Sequence, residues 1–121
     1  MISRNKDESK KGLLLSGGKC IICGWCGKNY KNESLVVGAH VRPFESGAEY
    51  DKSSNIIALC PNHHAEYDGF AFTIDVKTKT LVCVDKESPL NGLSVKEKIK
   101  HIDTKNLAYH QYLFNQKNCI K

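Results

Sequence analysis

Two short pairs of residues constrain this chain more than anything else in it. Cys20 and Cys23 stand as CxxC in "CIIC", and Cys60 and His63 as CxxH in "CPNH". Each spacing lets two side chains converge on one ion from a single knuckle, and two knuckles complete a tetrahedron. The pairs lie too far apart for a Cys₂His₂ finger, whose pairs are about a dozen residues from each other. Two distant knuckles clamp two parts of a larger domain, so the chain between them must fold back on itself. Structural zinc is the better reading, against four incidental or buried side chains.

Compartment supports metal over disulfides. No apolar h-region follows Met1 in "MISRNKDESKK", and no run approaches the length that crosses a membrane. Cytoplasmic residence is expected, where CxxC patterns bind metal more often than they oxidise. At 121 residues the chain fits one small domain, in which a metal staple adds useful stability. Lys and Arg number 18 against 13 Asp and Glu, a net charge of +5 that favours an anionic partner such as nucleic acid without establishing one.

The expected organisation is a single domain over 1–121. Residues 1–12 read as a mobile basic arm, although "KGLLLSGG" has the makings of a short helix or strand before its glycines. The zinc-bearing core spans 20–74, and 75–121 form a hairpin and a helical extension. "SLVVGAHVRPF" reads as a strand entering a loop, "IIALC" as a second strand, and "PNHHAEYDG" as a short helix opened by Pro and stopped by Gly. "FAFTIDVKTKTLVCVD" alternates around "KTKT" as a β-hairpin does. "SPLNGLSVKEKIKHI" is ambiguous. From Thr104 the spacing of Leu107, Tyr109–His110 and Leu113–Phe114 predicts a C-terminal helix.

Cys23 and Cys26 also form a CxxC, "CGWC", of redox type. No βαβ pattern surrounds it and a third Cys precedes it, so Cys20 and Cys23 are the first choice for zinc, with Cys26 in place of either as the alternative. Cys83 reads as a small core residue; Cys119, near the chain end, supports no claim. His64 is the leftover. Neighbouring helical side chains diverge by about 100°, so one ion rarely recruits both His63 and His64. A strand, loop, strand and helix would bring His40, Asn55 and His64 to one concave face. Such a trio supplies a general base, an amide that fixes geometry and a metal ligand.

From Cys20 to about Ile74, the ordered set "CIIC", "AHVRPFESGAEYDKSSN" and "LCPNHHAEYDGFAFTID" resembles the HNH endonucleases, in particular the zinc-knuckle subgroup whose last catalytic His directly follows the final zinc ligand. The resemblance implies an α+β fold: a small ββα-metal (HNH) nuclease domain with structural zinc knuckles, a following hairpin and a C-terminal helix. It makes His40 the base that activates a water against a DNA phosphodiester, with Asn55 bracing the loop that carries it. His64 would bind one catalytic divalent ion (Mg²⁺, Mn²⁺, Ni²⁺ or Zn²⁺), while Cys20, Cys23, Cys60 and His63 hold a separate structural Zn²⁺. Many relatives carry Asp or His before the base as a second metal ligand; here Ala39 stands there. Asp68, one helical turn beyond His64, is a candidate substitute, though a solvated residue at a helix end is the preferred reading. Arg42 reads evenly as a phosphate contact or an exposed side chain. Tyr50 and Trp25 read as packing groups, and His110 as a partly buried histidine.

The implied function is a metal-dependent endonuclease acting on DNA, of the restriction, phage or mobile-element kind, with no membrane association. A homodimer would supply the two active sites that two strands require. A catalytically degenerate zinc module that binds nucleic acid is the alternative, and a CGWC redox protein ranks third.

Overall fold

Apolar runs become strands here wherever a partner run lies in register. In this computed structural model, which describes residues 6–43 and 50–118, "VGAH" forms β1 (Val37–His40) and "IIAL" forms β2 (Ile56–Leu59). They pair antiparallel, with Ala39 opposite Ile57 and His40 opposite Ile56. Every β2 residue is buried, because helices cover both faces of this two-stranded sheet. Helix α1 (Lys6–Leu15) lies against one face, and α2 (Pro61–Asp68) packs against both strands. Residues opposite each other in an antiparallel pair share a face. Gly38, His40 and Ile56 therefore turn toward α1, whereas Ala39 and Ile57 turn into the main core.

Residues 6–12, expected within a mobile arm, belong to α1; residues 1–5 of that arm lie outside the described residues. The contact is made by a glycine, which no apolar periodicity reveals. A Cβ on Gly12 would meet Ile56 Cβ and Cγ2 at 2.7 Å, so glycine alone allows this approach of helix to strand. Asp7 and Glu8 in the first turn suit the positive end of the helix dipole. The helix stops on left-handed Gly17 (φ 97°), with Gly18 N–H donating to the Leu13 carbonyl and Gly17 N–H to that of Leu14, a Schellman closure.

Helix α2 follows β2 directly, with Cys60 as N-cap and Pro61 in the first turn. It stops at Gly69, as the sequence indicates. The residue in left-handed conformation is Phe70 (φ 59°), not Gly69. Phe70 N–H and Ala71 N–H return to the carbonyls of Tyr67 and Glu66, and the Phe70 ring stacks on His110 at 4.8 Å. That stacking offsets a backbone conformation usually left to glycine.

The expected hairpin is β3 (Phe72–Ile74) paired antiparallel with β4 (Leu81–Cys83). Its turn is wound on the Asp75 carboxylate, which accepts from Lys77 N–H and Thr78 N–H, as an Asx-turn does. These donors, Thr78 foremost, hold the Asp75 carboxyl below its usual range. The ambiguous stretch contributes one 3₁₀ turn, Lys96–Lys98. Helix α3 (Thr104–Lys117) begins where the sequence places it, capped by the Asp103 carboxylate on Lys105 N–H at 2.9 Å. It buries Asn106, Leu107, His110 and Phe114, one stripe at helical spacing, and packs on β3. The core joins Ala39, Val41, Ile57, Leu59, Tyr67, Phe72, Leu81 and Leu107. This is the expected small α+β fold, a ββα unit (β1–β2–α2) followed by a hairpin and a helix.

Candidate metal centre and active site

The two knuckles meet. One ligand atom each from Cys20, Cys23, Cys60 and His63 lies within 4.8 Å of all the others. Zinc bonds of about 2.3 Å to sulfur and 2.0–2.1 Å to nitrogen, in a tetrahedron, put sulfurs about 3.8 Å apart and sulfur about 3.5 Å from nitrogen. The Cys23 and Cys60 sulfurs are 4.0 Å apart. His63 Nδ1 is 3.5 Å from the Cys20 sulfur and 3.2 Å from that of Cys60. The residues thus fit a four-coordinate zinc. Electrostatics agree: burial opposes the Cys20 thiolate, yet the backbone N–H groups of Cys23, Cys60 and Ile22, with the His63 ring, lower its pKa to about 7. A sulfur so furnished with donors is prepared for negative charge. Cys23 moves the other way, raised by burial and by the adjacent sulfurs of Cys20 and Cys60, so an ion is the natural counter-charge for the pair.

The alternative role for Cys26 is not realised: it is an exposed free thiol outside the cluster. Cys83 is 4% exposed inside the core, and burial raises its thiol pKa, as befits a small apolar residue.

His40 and Asn55 are joined through the turn that leaves β1. The Asn55 side chain is 1% exposed and spends its hydrogen bonds on that turn. Its Oδ1 accepts from Arg42 N–H at 2.7 Å, and its Nδ2 donates to the carbonyls of Arg42 (2.9 Å) and Tyr50 (2.8 Å). Its backbone carbonyl accepts from Val41 N–H at 2.8 Å. One amide therefore ties both ends of the loop that follows His40. Asp51, inside that frame, places its carboxylate Oδ1 2.9 Å from His40 Nε2, with both side chains under 10% exposed. A carboxylate on one ring nitrogen fixes the tautomer and the orientation of an imidazole. Sequence reasoning missed Asp51. It sits in a polar loop at no diagnostic spacing from His40.

His64 rides on α2 with its Nε2 3.1 Å from Asp68 Oδ2, the side chains 34% and 61% exposed. Asp68, for which a solvated helix-end position is the preferred reading, thus pairs with His64 one turn away while staying 61% exposed. An imidazole beside a carboxylate, open to water, is a donor set that suits a hydrated divalent cation. No third His, Cys, Asp or Glu donor joins them among the described residues. Ala39 is 1% exposed and faces the core, so position 39 offers the ion nothing.

Arg42 is the other outcome of the Asn55 brace. Its guanidinium carbon lies 4.1 Å from the Tyr50 ring centre and 3.9 Å from that of Tyr109. Trp25 is 39% exposed, so only in part the packing group expected. His110 is a core histidine, stacked on Tyr67 at 3.8 Å and bonded to Thr73 through Nδ1; burial lowers its pKa to about 4. His101 Nε2 bonds to the Ile56 carbonyl at 2.9 Å, which fastens the segment before α3 to β2.

Comparison with known proteins follows this geometry. Residues 20–75 match the family model described as HNH endonuclease. Among solved structures, the chain is similar to a modification-dependent TagI restriction endonuclease: 25% identity, a TM-score of 0.70, 91% of this chain and 38% of that chain. The chain therefore spans well under half of that relative's length. No curated protein matches the sequence. Among the described residues, no helix is long and apolar enough to cross a membrane.

Proposed function

We propose that the HNH endonuclease unit of residues 20–75 is a working nuclease, which hydrolyses DNA phosphodiester bonds with His40 as base. The observation that carries this reading is the His40–Asp51 pair at 2.9 Å, set in a loop that Asn55 ties at both ends. A base must be held in one tautomer and one place before it can serve an incoming water. Asp51 and Asn55 do this as positioning residues.

In the proposed reaction, His40 takes one proton from a water whose oxygen attacks phosphorus. The bond from phosphorus to the leaving oxygen breaks, that oxygen takes up a proton, and His40 returns its own to solvent. A divalent cation held by His64 and Asp68 would stabilise charge on the leaving oxygen when bound. Cys20, Cys23, Cys60 and His63 take no part in proton transfer; they fasten the amino-terminal knuckle to the start of α2. DNA as substrate is supported by the restriction activity in the structural relative's description and by the net charge of +5. A homodimer would provide one such site per DNA strand.

Nicking of supercoiled plasmid, assayed over Mg²⁺, Mn²⁺, Ni²⁺ and Co²⁺, tests the reading. Wild type is expected to nick in at least one metal, and His40→Ala to lose nicking while keeping its zinc and its melting temperature. Full cleavage by His40→Ala would remove His40 as the base. DNA binding with no nicking in any metal would favour a degenerate binding module, to which the apolar Ala39 lends support.

A further inference from the structure

We propose that Arg42 binds a phosphate of the substrate, and that α3, through Tyr109, completes this phosphate site. The proposal rests on the nuclease reading and extends the site beyond residues 20–75, the segment matched by the family model. Three features of Arg42 set it apart from an arginine that merely packs. Its backbone N–H and carbonyl are both bonded to the Asn55 side chain, so its position is fixed relative to His40, two residues earlier. Its guanidinium lies between two aromatic rings, Tyr50 at 4.1 Å and Tyr109 at 3.9 Å, which hold its plane. Among the described residues no carboxylate pairs with it, and its Nε is sealed from solvent without a hydrogen-bond partner.

Arg42 is half-buried with its Nε enclosed, and an enclosed guanidinium donor normally answers to a carboxylate or to carbonyls. Here the charge is kept by aromatic faces that cannot neutralise it. With two rings against the guanidinium and Nε enclosed, hydrogen bonding is left to the terminal Nη edge. A planar edge with a full positive charge and restricted motion is suited to a phosphate oxygen pair, in a way that a flexible lysine is not. Tyr50 enters from the loop braced by Asn55, and Tyr109 from α3. The clamp therefore links a helix distant in sequence to the loop that carries the base.

The test uses zinc-loaded full-length protein, with melting temperature and zinc content measured for every variant. In a His40→Ala background, expected to bind without cutting, Arg42→Gln should lower the slope of log affinity against log salt by about 0.9, one phosphate contact. In the active background Arg42→Gln should reduce nicking on the order of 100-fold. Arg42→Lys should keep the salt slope yet lose roughly 10-fold in nicking, since a point charge lacks the planar edge. Tyr109→Leu, which removes the aromatic face from the guanidinium, should lose roughly 10-fold in nicking, chiefly in kcat. A folded Arg42→Gln with wild-type slope and nicking overturns the proposal and leaves Arg42 a staple between loop and helix. Should Arg42→Gln fail to fold, unimpaired nicking by Arg42→Lys overturns it. Wild type that nicks while these variants are indifferent sinks this inference alone; wild type that neither binds nor nicks sinks the nuclease reading with it.

Discussion

Replacing Asn55 by Ala removes three hydrogen bonds at once and leaves the groups they served, Arg42 N–H and the carbonyls of Arg42 and Tyr50, with no side-chain partner. At about 1 kcal/mol net per bond, with a further cost for polar groups left buried, the loss is roughly 3–5 kcal/mol. That is a large part of the 5–15 kcal/mol by which domains of this size are stable, and corresponds to a fall of roughly 10–20 °C in Tm. Circular dichroism of the zinc-loaded protein measures this directly. Amide exchange should show the damage concentrated at Arg42, whose N–H loses its acceptor. Nicking, assayed well below the lowered Tm, should fall too, because His40 leaves a loop no longer tied. Asn55→Asp keeps the acceptor for Arg42 N–H but turns an oxygen toward two carbonyl oxygens, and should be no more stable than Asn55→Ala. An Asn55→Ala protein that melts within about 2 °C of wild type would refute the bracing argument. If it were also inactive, Asn55 would have a chemical role instead.

Three other outcomes follow from the geometry. Asp51→Asn keeps the shape of the side chain but replaces a charged, acceptor-only carboxylate by a neutral amide that can also donate, so the His40 tautomer is no longer fixed and kcat for nicking should fall at least about 10-fold with KM little changed; an unchanged kcat would dismiss Asp51. Cys26→Ser should retain one zinc per chain by elemental analysis, whereas Cys23→Ser and Cys60→Ser should not; equal zinc loss in all three would contradict the ligand set. His110 has a folded-state pKa near 4, below the usual value of about 6.5, so the stability linked to its neutral form is complete above about pH 6.5 and lost as pH falls through 4. That linkage amounts to about 3 kcal/mol. His110→Phe preserves the stacks and should shrink the difference in urea stability between pH 7 and pH 4 by that amount; an unaltered difference would refute the linkage.

Legibility in the sequence followed the range of the interactions. The zinc ligands could be read because each knuckle is a local spacing, and the structure needed only to bring the two together. α3 could be read because Leu107, His110 and Phe114 repeat at helical period behind an Asp103 cap. α1 is legible only in its second half, where "KGLLLSGG" allows a short helix or strand, since its closest contact is a glycine and its first turns are polar. The Gly69 stop of α2 is legible, but the left-handed turn at Phe70 is not, because a stacking partner near the far end of the chain stabilises a conformation that favours glycine. Asp51 and Tyr109 were invisible for the same reason: each acquires its place from a fold, not from neighbours in sequence. Ala39 is legible as a departure from the sequence alone, since a methyl group has no ligand atom; the structure adds that it packs in the core.

Cys60 follows β2 directly, caps α2 by accepting from His63 N–H at 3.4 Å, and shares a ligand cluster with His63, the residue before His64. Helices usually begin on a serine or an aspartate, fastened by the protein alone; this one begins on a sulfur that a metal can claim. Chelators would then strike twice, at the ion proposed beside His64 and at the first turn of the helix that would present it. Loss of cleavage in EDTA is accordingly ambiguous for this molecule. Recovery with Mg²⁺ or Mn²⁺ alone would mean that the knuckle had kept its zinc, whereas recovery that also demands zinc would mean that the helix itself had to be rebuilt.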